Sequence, residues 1–330
     1  MSATASAPAA PDVLGTIATK NEDIETVVKS TSSPPPVTTS CSEEYIEACA
    51  RSNKEASRHD PLTTLFQAEK LPPISEEPAF TDKMGLSRPT YSALRSRLTR
   101  ISQTEVENWI YESSIDRIRS KVRVGAFVVE AGNWAATTTW EPVVAPPPPA
   151  DFKPDPHTSA ATGESSEPWF EVMKLISLRG EKLSDLYAKK PVYAEFIARI
   201  EVARRKHLYP LLWKAQHNKS TYGPLDEHTE KALTMCTQDQ KHLLFWHLSL
   251  TSRNPAVQRV QGAVRAVIEP FVRKWVDEIG MSAVWLEAGS PRARDVYGYL
   301  GFRVVDEIVV GEDEKGSGIK TWCMVYAKDR

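Results

Sequence analysis

The chain has few cysteines, no long apolar run and no excess of one charge among its 330 residues. No segment approaches the roughly 18 apolar residues that a membrane-spanning helix needs. Its 41 basic and 43 acidic residues give a net charge of −2, so the overall charge favours neither a nucleic acid nor an anionic membrane as partner. The composition therefore predicts a soluble protein that binds neither of them.

The four cysteines form no CxxC pair, and none has a histidine at the spacing of a metal site. We expect reduced thiols, no bound metal and a cytoplasmic location. The N-terminus has neither the apolar segment of a secretory signal nor the arginine-rich character of a mitochondrial transit peptide. Residues 1–40 are rich in Ala, Ser, Thr and Pro without apolar periodicity, which predicts a disordered tail.

Residues 41–330 are predicted to form a single domain, in which a proline-rich linker opens a helical insertion at about 143–240. Two β-rich runs, 122–130 and 134–140, precede the linker and are separated by a hairpin signal. Apolar residues recur at helical spacing before and within the insertion. The helices predicted there are residues 42–57, 90–100, 102–118, 169–189, 191–213 and 229–237.

The last third of the chain alternates strands with helices and ends in two consecutive strands. The predicted elements are strand 242–251, helix 257–279, strand 283–288, helix 291–300, and strands 302–310 and 319–327. We expect Pro270 to kink the long helix and Gly280 to cap its end. An alternating start with an antiparallel finish predicts a mixed sheet with helices on its faces, an α/β (α+β) fold.

The junction between the first of these strands and the long helix is one candidate site. The junction, residues 250–265, is a turn containing Gly262 that opens the helix. Backbone N–H groups point in one direction there, and the helix dipole adds about half a positive charge. Such a turn can hold a phosphate, and the positive charges of Arg259 and Arg265 add to that of the helix dipole. A lone glycine before a helix is more often only a turn, so this pattern by itself leaves both interpretations open.

A second candidate site runs from Glu287, at the end of a predicted strand, to Phe302. The short helix between them ends in Val-Tyr-Gly-Tyr-Leu-Gly-Phe, which fixes Tyr297, Gly301 and Phe302 at set offsets. This stretch resembles the motif that closes the fold of the GNAT superfamily of acetyl-CoA-dependent N-acetyltransferases. The resemblance is strong over residues 242–327 and weaker over 42–142, where fungal-type members are similar.

The resemblance implies a GNAT-like mixed, mostly antiparallel sheet flanked by helices, with a long helical insertion. It also implies acetyl-CoA as co-substrate between two splayed strands, 242–251 and 283–288, and direct transfer to an amine of a small molecule. The cofactor would contact the strand end and the loop after it. These residues are Leu250, Thr251, Arg259, Val260, Gln261, Gly262, Ala263, Val264 and Arg265.

The cofactor loop departs from the family motif Gln/Arg-x-x-Gly-x-Gly/Ala at one position. Arg259 and Gly262 satisfy its first part, but the last position is Val264. The frame that starts one residue earlier keeps Ala263 at the end and places Gln261 where the glycine should be. A branched side chain where the backbone must approach a pyrophosphate is expected to lower the affinity for the cofactor.

The resemblance also implies catalytic residues. A lysine-like amine, with a pKa near 10.4, must lose a proton before it attacks, and the leaving thiolate gains one. Tyr297 falls at the family position that faces the sulfur and is assigned as the acid, although a tyrosine at this spacing often serves packing alone. Glu287 and His247 are alternative bases, and a strand-end carboxylate is equally consistent with a salt bridge.

Three interpretations of the function stay open. The first is N-acetylation of a small-molecule amine, and the second is transfer of the acetyl group to a hydroxyl. The third is a catalytically idle GNAT-fold protein that binds a ligand or a partner. The basic run on the insertion, Arg199 and Arg204 to His207, is more typical of a solvated helix face than of an anion site. The acceptor and the oligomeric state are not predicted.

Overall fold

The computed structural model describes residues 34–82, 85–153, 168–178, 180–218, 221–312 and 318–328. Residues from Pro35 onward cluster into one compact unit, which holds all the elements named below. Its helices are α1 Glu43–Ser57, α2 Pro61–Ala68, α3 Tyr91–Leu98, α4 Gln103–Val122, α5 Trp169–Leu175, α6 Leu183–Lys189, α7 Pro191–His207, α8 Tyr209–His217, α9 Glu227–Thr234, α10 Ala263–Ala266, α11 Glu269–Arg273 and α12 Pro291–Tyr299. None of the helices in this described part is long and apolar enough to span a bilayer.

The strands form one main sheet and two short hairpins in the described residues. They are β1 Val37–Ser40, β2 Ala79–Thr81, β3 Ser87–Pro89, β4 Phe127–Ala131, β5 Ala136–Val144, β6 Ser177–Leu178, β7 Glu181–Lys182, β8 Leu244–Arg253, β9 Ala283–Ala288, β10 Arg303–Val310 and β11 Ile319–Ala327. The main sheet has the order β1-β4-β5-β8-β9-β11-β10, and every pair is antiparallel except β8 with β9. The predicted mixed, mostly antiparallel sheet with flanking helices is thereby confirmed, and α5 to α9 form the long insertion.

The parallel pair at the centre of the sheet is short. Strand β8 pairs with β9 only from Trp246 opposite Val284 to Leu248 opposite Leu286. Beyond that point β8 continues to Arg253 on its β5 side, while β9 ends at Ala288 against β11. The two strands therefore splay, as the resemblance implies.

The two faces of the sheet pack against different helices. On one face Trp246, Leu248 and Leu286 meet apolar residues of α10, α11 and α12, and we call it the α12 face. On the other face Phe245 and Trp285 meet apolar residues of α2, α7 and α8, and we call it the α7 face. Each face is apolar at its centre because alternate strand residues point to opposite sides.

A β-bulge in β8 changes which side chains reach each face. The register steps from Thr139 opposite Leu250 to Trp140 opposite Leu248, which leaves Ser249 as the extra residue. His247 and Thr251 are four residues apart and would share one face of a regular strand. The extra residue reverses the alternation, so that the two side chains lie on opposite faces.

The helices begin where short polar side chains cap them. Ser42, Asp60, Thr90 and Asp226 each accept a hydrogen bond from the backbone three residues later. Ser102 and Glu105 form a reciprocal capping box. Such caps satisfy N–H groups that the helix itself leaves unpaired.

Several predicted boundaries were wrong. Residues 37–40, predicted as part of a disordered tail, form β1, and Thr38 donates to Glu130 in the neighbouring strand at 2.7 Å. The rest of that predicted tail, up to residue 33, lies outside the described residues. The strand predicted at 242–251 is β8, Leu244–Arg253, because His242 lies in a preceding 3₁₀ turn.

The long helices of the prediction are broken at particular residues. The predicted helix 257–279 begins only after Gly262, breaks at Ile268 before Pro270, and ends in a π-helical turn capped by Gly280. The predicted helix 191–213 divides into α7 and α8 at Leu208. Proline supplies no N–H to a helix interior, which accounts for the break before Pro270 and for that before Pro210.

Candidate functional site

A chain of five charged or ionisable side chains crosses the α7 face where β8 and β9 splay. At its centre, His247 Nε2 lies 2.8 Å from Glu287 Oε2, and His247 Nδ1 lies 3.3 Å from Glu141 Oε2. Lys121 of α4 forms an ion pair with Glu141 at one end. Arg204 of α7 donates to Glu287 Oε1 at 3.1 Å at the other end. The sheet register explains the order, since Glu141 lies opposite His247 on neighbouring strands.

The carboxylates of this chain are held in their charged form. Burial by itself would raise the pKa of Glu287, but His247 and Arg204 hold it well below its usual range. Likewise, burial opposes ionisation of Glu141, yet His247 and Lys121 hold its pKa well below its usual range. Burial lowers the pKa of Lys121 to about 8, although Glu141 opposes the shift.

Glu287 has no oxygen without a partner. Its Oε1 accepts from the Trp285 indole at 2.6 Å as well as from Arg204, and its Oε2 contacts His247. A carboxylate with so low a pKa and so many donors takes up a proton poorly at neutral pH. These contacts hold Glu287 in place between its neighbours.

Arg204 was predicted to lie on a solvated helix face, and this was wrong. Its side chain is 14% exposed, and its guanidinium lies over the rings of Phe245 and Trp285. A signal was present in the sequence, because the apolar residue Ile200 lies four residues before Arg204. Ala203 lies one residue before Arg204, and both Ile200 and Ala203 are buried in the structure. Ile200 and Arg204 share one helix face at this spacing.

Tyr297 lies on the α12 face, away from the charged chain. It is 7% exposed and belongs to the apolar cluster beneath α10 and α12. Burial raises the pKa of Tyr297, the side chain of Thr251 opposes the shift, and the charge of Glu287 adds to it. The phenol is therefore protonated at neutral pH.

The predicted cofactor loop forms a turn rather than the start of a long helix. Gly262 has a φ of 80° and caps α10, which has only four residues. The helix dipole is correspondingly small there, so a phosphate would depend on loop N–H groups and on arginine side chains. Arg259 is exposed, while Arg265 is paired with Glu269. Gln261 is exposed and Ala263 is buried.

The branched residues of this loop are turned at least partly into the core. Val260 and Val264 are half-buried and pack against the cluster of the α12 face. A side chain at Gly132 would meet Val260 at 3.0 Å, and Gly132 has a positive φ of 67°. Leu250 packs on the α7 face with α1 and α4. The loop is therefore seated on the hairpin between β4 and β5.

The structure brings together some of the residues predicted from the sequence and separates others. Glu287 and His247 are in contact, whereas Tyr297 lies on the opposite face beside Thr251. Glu141, Lys121 and the bulge at Ser249 were not predicted from the sequence. Within the described ranges, no group of three or more His, Cys, Asp or Glu side chains is arranged to hold a metal.

Comparison with curated proteins finds two relatives in Saccharomyces cerevisiae. The protein "Putative increased recombination centers protein 11" is 33% identical over 94 residues, which are 26% of this chain and 59% of the relative. An uncharacterised protein of the same yeast is 30% identical over 94 residues, 26% of this chain and 40% of that relative. The chain thus spans about half the length of each. No protein-family model matches the chain.

Solved structures with a similar trace include amine N-acetyltransferases. An agmatine N-acetyltransferase is 12% identical, with a TM-score of 0.41 over 88% of this chain and 99% of its own. An Aedes aegypti arylalkylamine N-acetyltransferase is 13% identical with a TM-score of 0.38, and the match covers 88% of this chain and 98% of that one. A Drosophila melanogaster polyamine N-acetyltransferase is 11% identical with a TM-score of 0.36, and the match covers 66% of this chain and 81% of that one. These likenesses are distant, and the description of the fold rests on the strand order given above.

Proposed function

We propose that this protein is a GNAT-type acetyltransferase that moves an acetyl group from acetyl-CoA to an amine of a small molecule. The observation that carries the proposal is the splay of β8 from β9, with Tyr297 on one face and His247 on the other. A thioester lying between the strands would have a proton donor on one side and a proton acceptor on the other. The reaction needs both.

The edge of β8 supports acetyl-CoA as the co-substrate. From Leu250 to Arg253 this strand is paired with β5 but not with β9. An extended chain carrying amide groups, such as pantetheine, can pair with an open strand edge as a peptide does. Leu250 and Thr251 would hold that chain, and the loop from Arg259 to Arg265 would hold the pyrophosphate.

His247 is the better of the two predicted bases. Glu287 holds its Nε2 and is itself held by Arg204, which fixes the orientation of the ring. The contact of Nδ1 with Glu141 is longer, at 3.3 Å, and Glu141 also has Lys121 as a partner. We propose that the ring carries its proton on Nε2, that the amine or a water replaces Glu141 at Nδ1 and gives its proton to that nitrogen, and that Tyr297 donates its proton to the leaving sulfur.

The test is acetyl transfer from radiolabelled acetyl-CoA to a panel of small amines and alcohols, with thermal unfolding in parallel. Acetyl-CoA at 100 times its dissociation constant should stabilise the fold by about 2.7 kcal/mol. Label should appear on at least one amine, and His247→Ala should abolish its transfer without abolishing the thermal shift. A folded protein that shows neither a shift nor transfer at millimolar acetyl-CoA would overturn the proposal. Label on alcohols alone would change the acceptor class to hydroxyl groups.

The second candidate is a catalytically idle GNAT-fold protein that binds a ligand or a partner. Its support is the charged chain itself, in which both carboxylates and both ring nitrogens of His247 already have protein partners. An arrangement of this kind also serves stability alone. Saturable binding of acetyl-CoA without transfer to any amine or alcohol would favour this second candidate.

A further inference from the structure

Ser249, the extra residue of the β-bulge, carries a buried hydroxyl that has no hydrogen-bond partner among the described residues. The other two hydroxyl residues of β8 are satisfied by neighbouring elements. Thr251 Oγ1 lies 2.9 Å from Thr138 Oγ1, and Ser252 Oγ lies 3.0 Å from Ser52 Oγ. A buried polar group left unpaired is costly to the fold. The hydroxyl of Ser249 is therefore a candidate contact for a substrate.

Ser249 lies on the face of the sheet that holds His247. It follows Leu248, which packs on the α12 face, and precedes Leu250, which packs with α1 and α4 on the α7 face. Because successive strand residues point to opposite sides, the side chain of Ser249 belongs to the α7 face. The pairing of β8 with β9 ends at Leu248, so Ser249 is also the first residue of the splay.

The bulge lies close to solvent beside α4. Arg117 of this helix is exposed, and its Nη2 donates to the carbonyl oxygen of Ser249 at 3.3 Å. A single hydrogen bond contributes little to stability, so a molecule that enters here can displace this arginine at small cost. An acceptor can therefore reach Ser249, although its hydroxyl is buried when Arg117 lies over the bulge.

We propose that Ser249 binds the amine of the acceptor beside His247 and thereby selects primary amines. This inference rests on the proposed function. A neutral primary amine has two N–H groups and one lone pair, and the hydroxyl oxygen of Ser249 can accept one of those N–H groups. His247 Nδ1 accepts the other. Two residues on one side of a strand lie about 6–7 Å apart, a gap that one nitrogen about 3 Å from each group spans.

Holding both N–H groups fixes the direction of the lone pair of the amine. That pair forms the C–N bond as the C–S bond breaks, one N–H proton passes to His247 Nδ1, and the sulfur takes the proton of Tyr297. The second N–H stays in the amide product and keeps Ser249 as its partner, so no bond within Ser249 breaks. A secondary amine has a single N–H and leaves either the base or Ser249 without a partner, which lowers its rate.

The experiment compares acetyl transfer to each primary amine labelled in the panel with transfer to its N-methyl derivative, in the wild type and in Ser249→Ala. The wild type should prefer the primary amine. Ser249→Ala should lower kcat/KM for the primary amine about threefold to tenfold, the effect of one hydrogen bond, and leave kcat/KM for the N-methyl amine nearly unchanged. A preference caused by crowding would instead let Ser249→Ala accelerate the N-methyl amine without slowing the primary one, and that result would overturn the proposal.

Ser114→Ala is the matched control on α4, the helix that carries Arg117. Ser114 is also buried, but its Oγ donates to the carbonyl oxygen of Ile110 at 2.6 Å and accepts from Asn53 Nδ2 at 2.8 Å. Ser114→Ala should therefore lower Tm and leave the preference between the two amines unchanged. Ser249→Ala should not lower Tm, because the hydroxyl that it removes has no partner to lose.

The outcomes separate this inference from the proposed function. An active wild type whose preference for primary amines survives in Ser249→Ala would overturn the inference alone, as would equal losses of Tm in Ser249→Ala and Ser114→Ala. A folded wild type that transfers the acetyl group to no amine would overturn the proposed function, and the inference with it.

Discussion

The two faces of the splayed strands hold polar groups of opposite character. The α7 face carries the ionic chain from Lys121 to Arg204, while the α12 face carries the paired hydroxyls of Thr138 and Thr251 and the buried phenol of Tyr297. An ionic chain is fixed, because each buried charge depends on its partner. Hydroxyl groups can reorient by rotation alone. The comparison suggests that the protein holds the base side rigid and lets the acid side respond.

The bulge at Ser249 makes this division possible. His247 and Thr251 both belong to β8, and the extra residue sends them to opposite faces. Without it Thr251 would lie on the α7 face with His247, and the end of β8 would present no hydroxyl to the face that holds Tyr297. Substitutions on either face should break this division.

Tyr297→Phe breaks the acid side and should have the largest effect. It removes only the hydroxyl, so the ring keeps its packing, while general acid catalysis is worth about 10²- to 10⁴-fold. We expect the turnover number to fall within that range while the dissociation constant of acetyl-CoA changes little. The control is Tyr299→Phe on the same helix, since Tyr299 is 78% exposed. A turnover number unchanged by Tyr297→Phe would remove Tyr297 from the mechanism.

Arg204→Met breaks the base side and should mainly affect stability. It leaves the buried carboxylate of Glu287 without its cation, and loss of one partner of a buried pair costs about 3–5 kcal/mol. Denaturant unfolding measures this, and adding Glu287→Gln should recover part of the loss. Arg205→Met is the control on the same helix, because Arg205 is more exposed, at 26%, and its partner Glu201 also accepts from Tyr209, so the loss should be smaller. Equal losses for the two arginine variants would contradict the account.

Acid should weaken the α7 face selectively. Because the pKa values of Glu141 and Glu287 are lower in the folded chain than their ordinary value of 4.5, their stabilising contribution is present above that pH and is lost as the pH falls below it. Each pKa unit is worth about 1.4 kcal/mol. Glu141→Gln should therefore lose less stability than the wild type between neutral pH and the acid range. The exposed Glu278→Gln should follow the wild-type curve, and parallel curves for all three proteins would refute the assignment.

Val264→Ala should have the smallest effect and concerns the loop beside the α12 face. The side chain of Val264 packs against the core, so removing its branch should change the dissociation constant of acetyl-CoA by less than about threefold, or about 0.6 kcal/mol. If the branch is the obstacle that the family motif suggests, alanine should instead tighten binding about tenfold or more. Calorimetry distinguishes the two outcomes, and unfolding of the same variant reports the packing loss.

Local signals predicted much of the C-terminal fold. Strands β9 and β11 have the predicted bounds, and α12 is only one residue shorter than predicted. The apolar runs and the Pro291 start are sufficient for this, because they act within one element. The contact between His247 and Glu287 was not predicted, because the two residues were treated as alternative bases on separate strands.

The remaining features depend on contacts between distant segments. Glu141 meets Lys121 and His247 only through the folded register of β5 against β8. The bulge at Ser249 has no local sequence signal, since neither glycine nor proline is present there. Strand β1 was missed because its four residues are stabilised by pairing with β4 rather than by their own composition. The spacing of Arg204 from Ile200 indicates the buried face of the helix, but the prediction did not use that spacing.

The most direct test of the central claim is calorimetric titration of acetyl-CoA into the full chain at two temperatures, so that a vanishing enthalpy at one of them cannot hide binding. If the splay of β8 and β9 is the acetyl-CoA site, binding should saturate at one equivalent. Tyr297→Phe should then bind equally well while transferring the acetyl group at least about 10²-fold more slowly. No heat at either temperature from a folded sample would contradict the account.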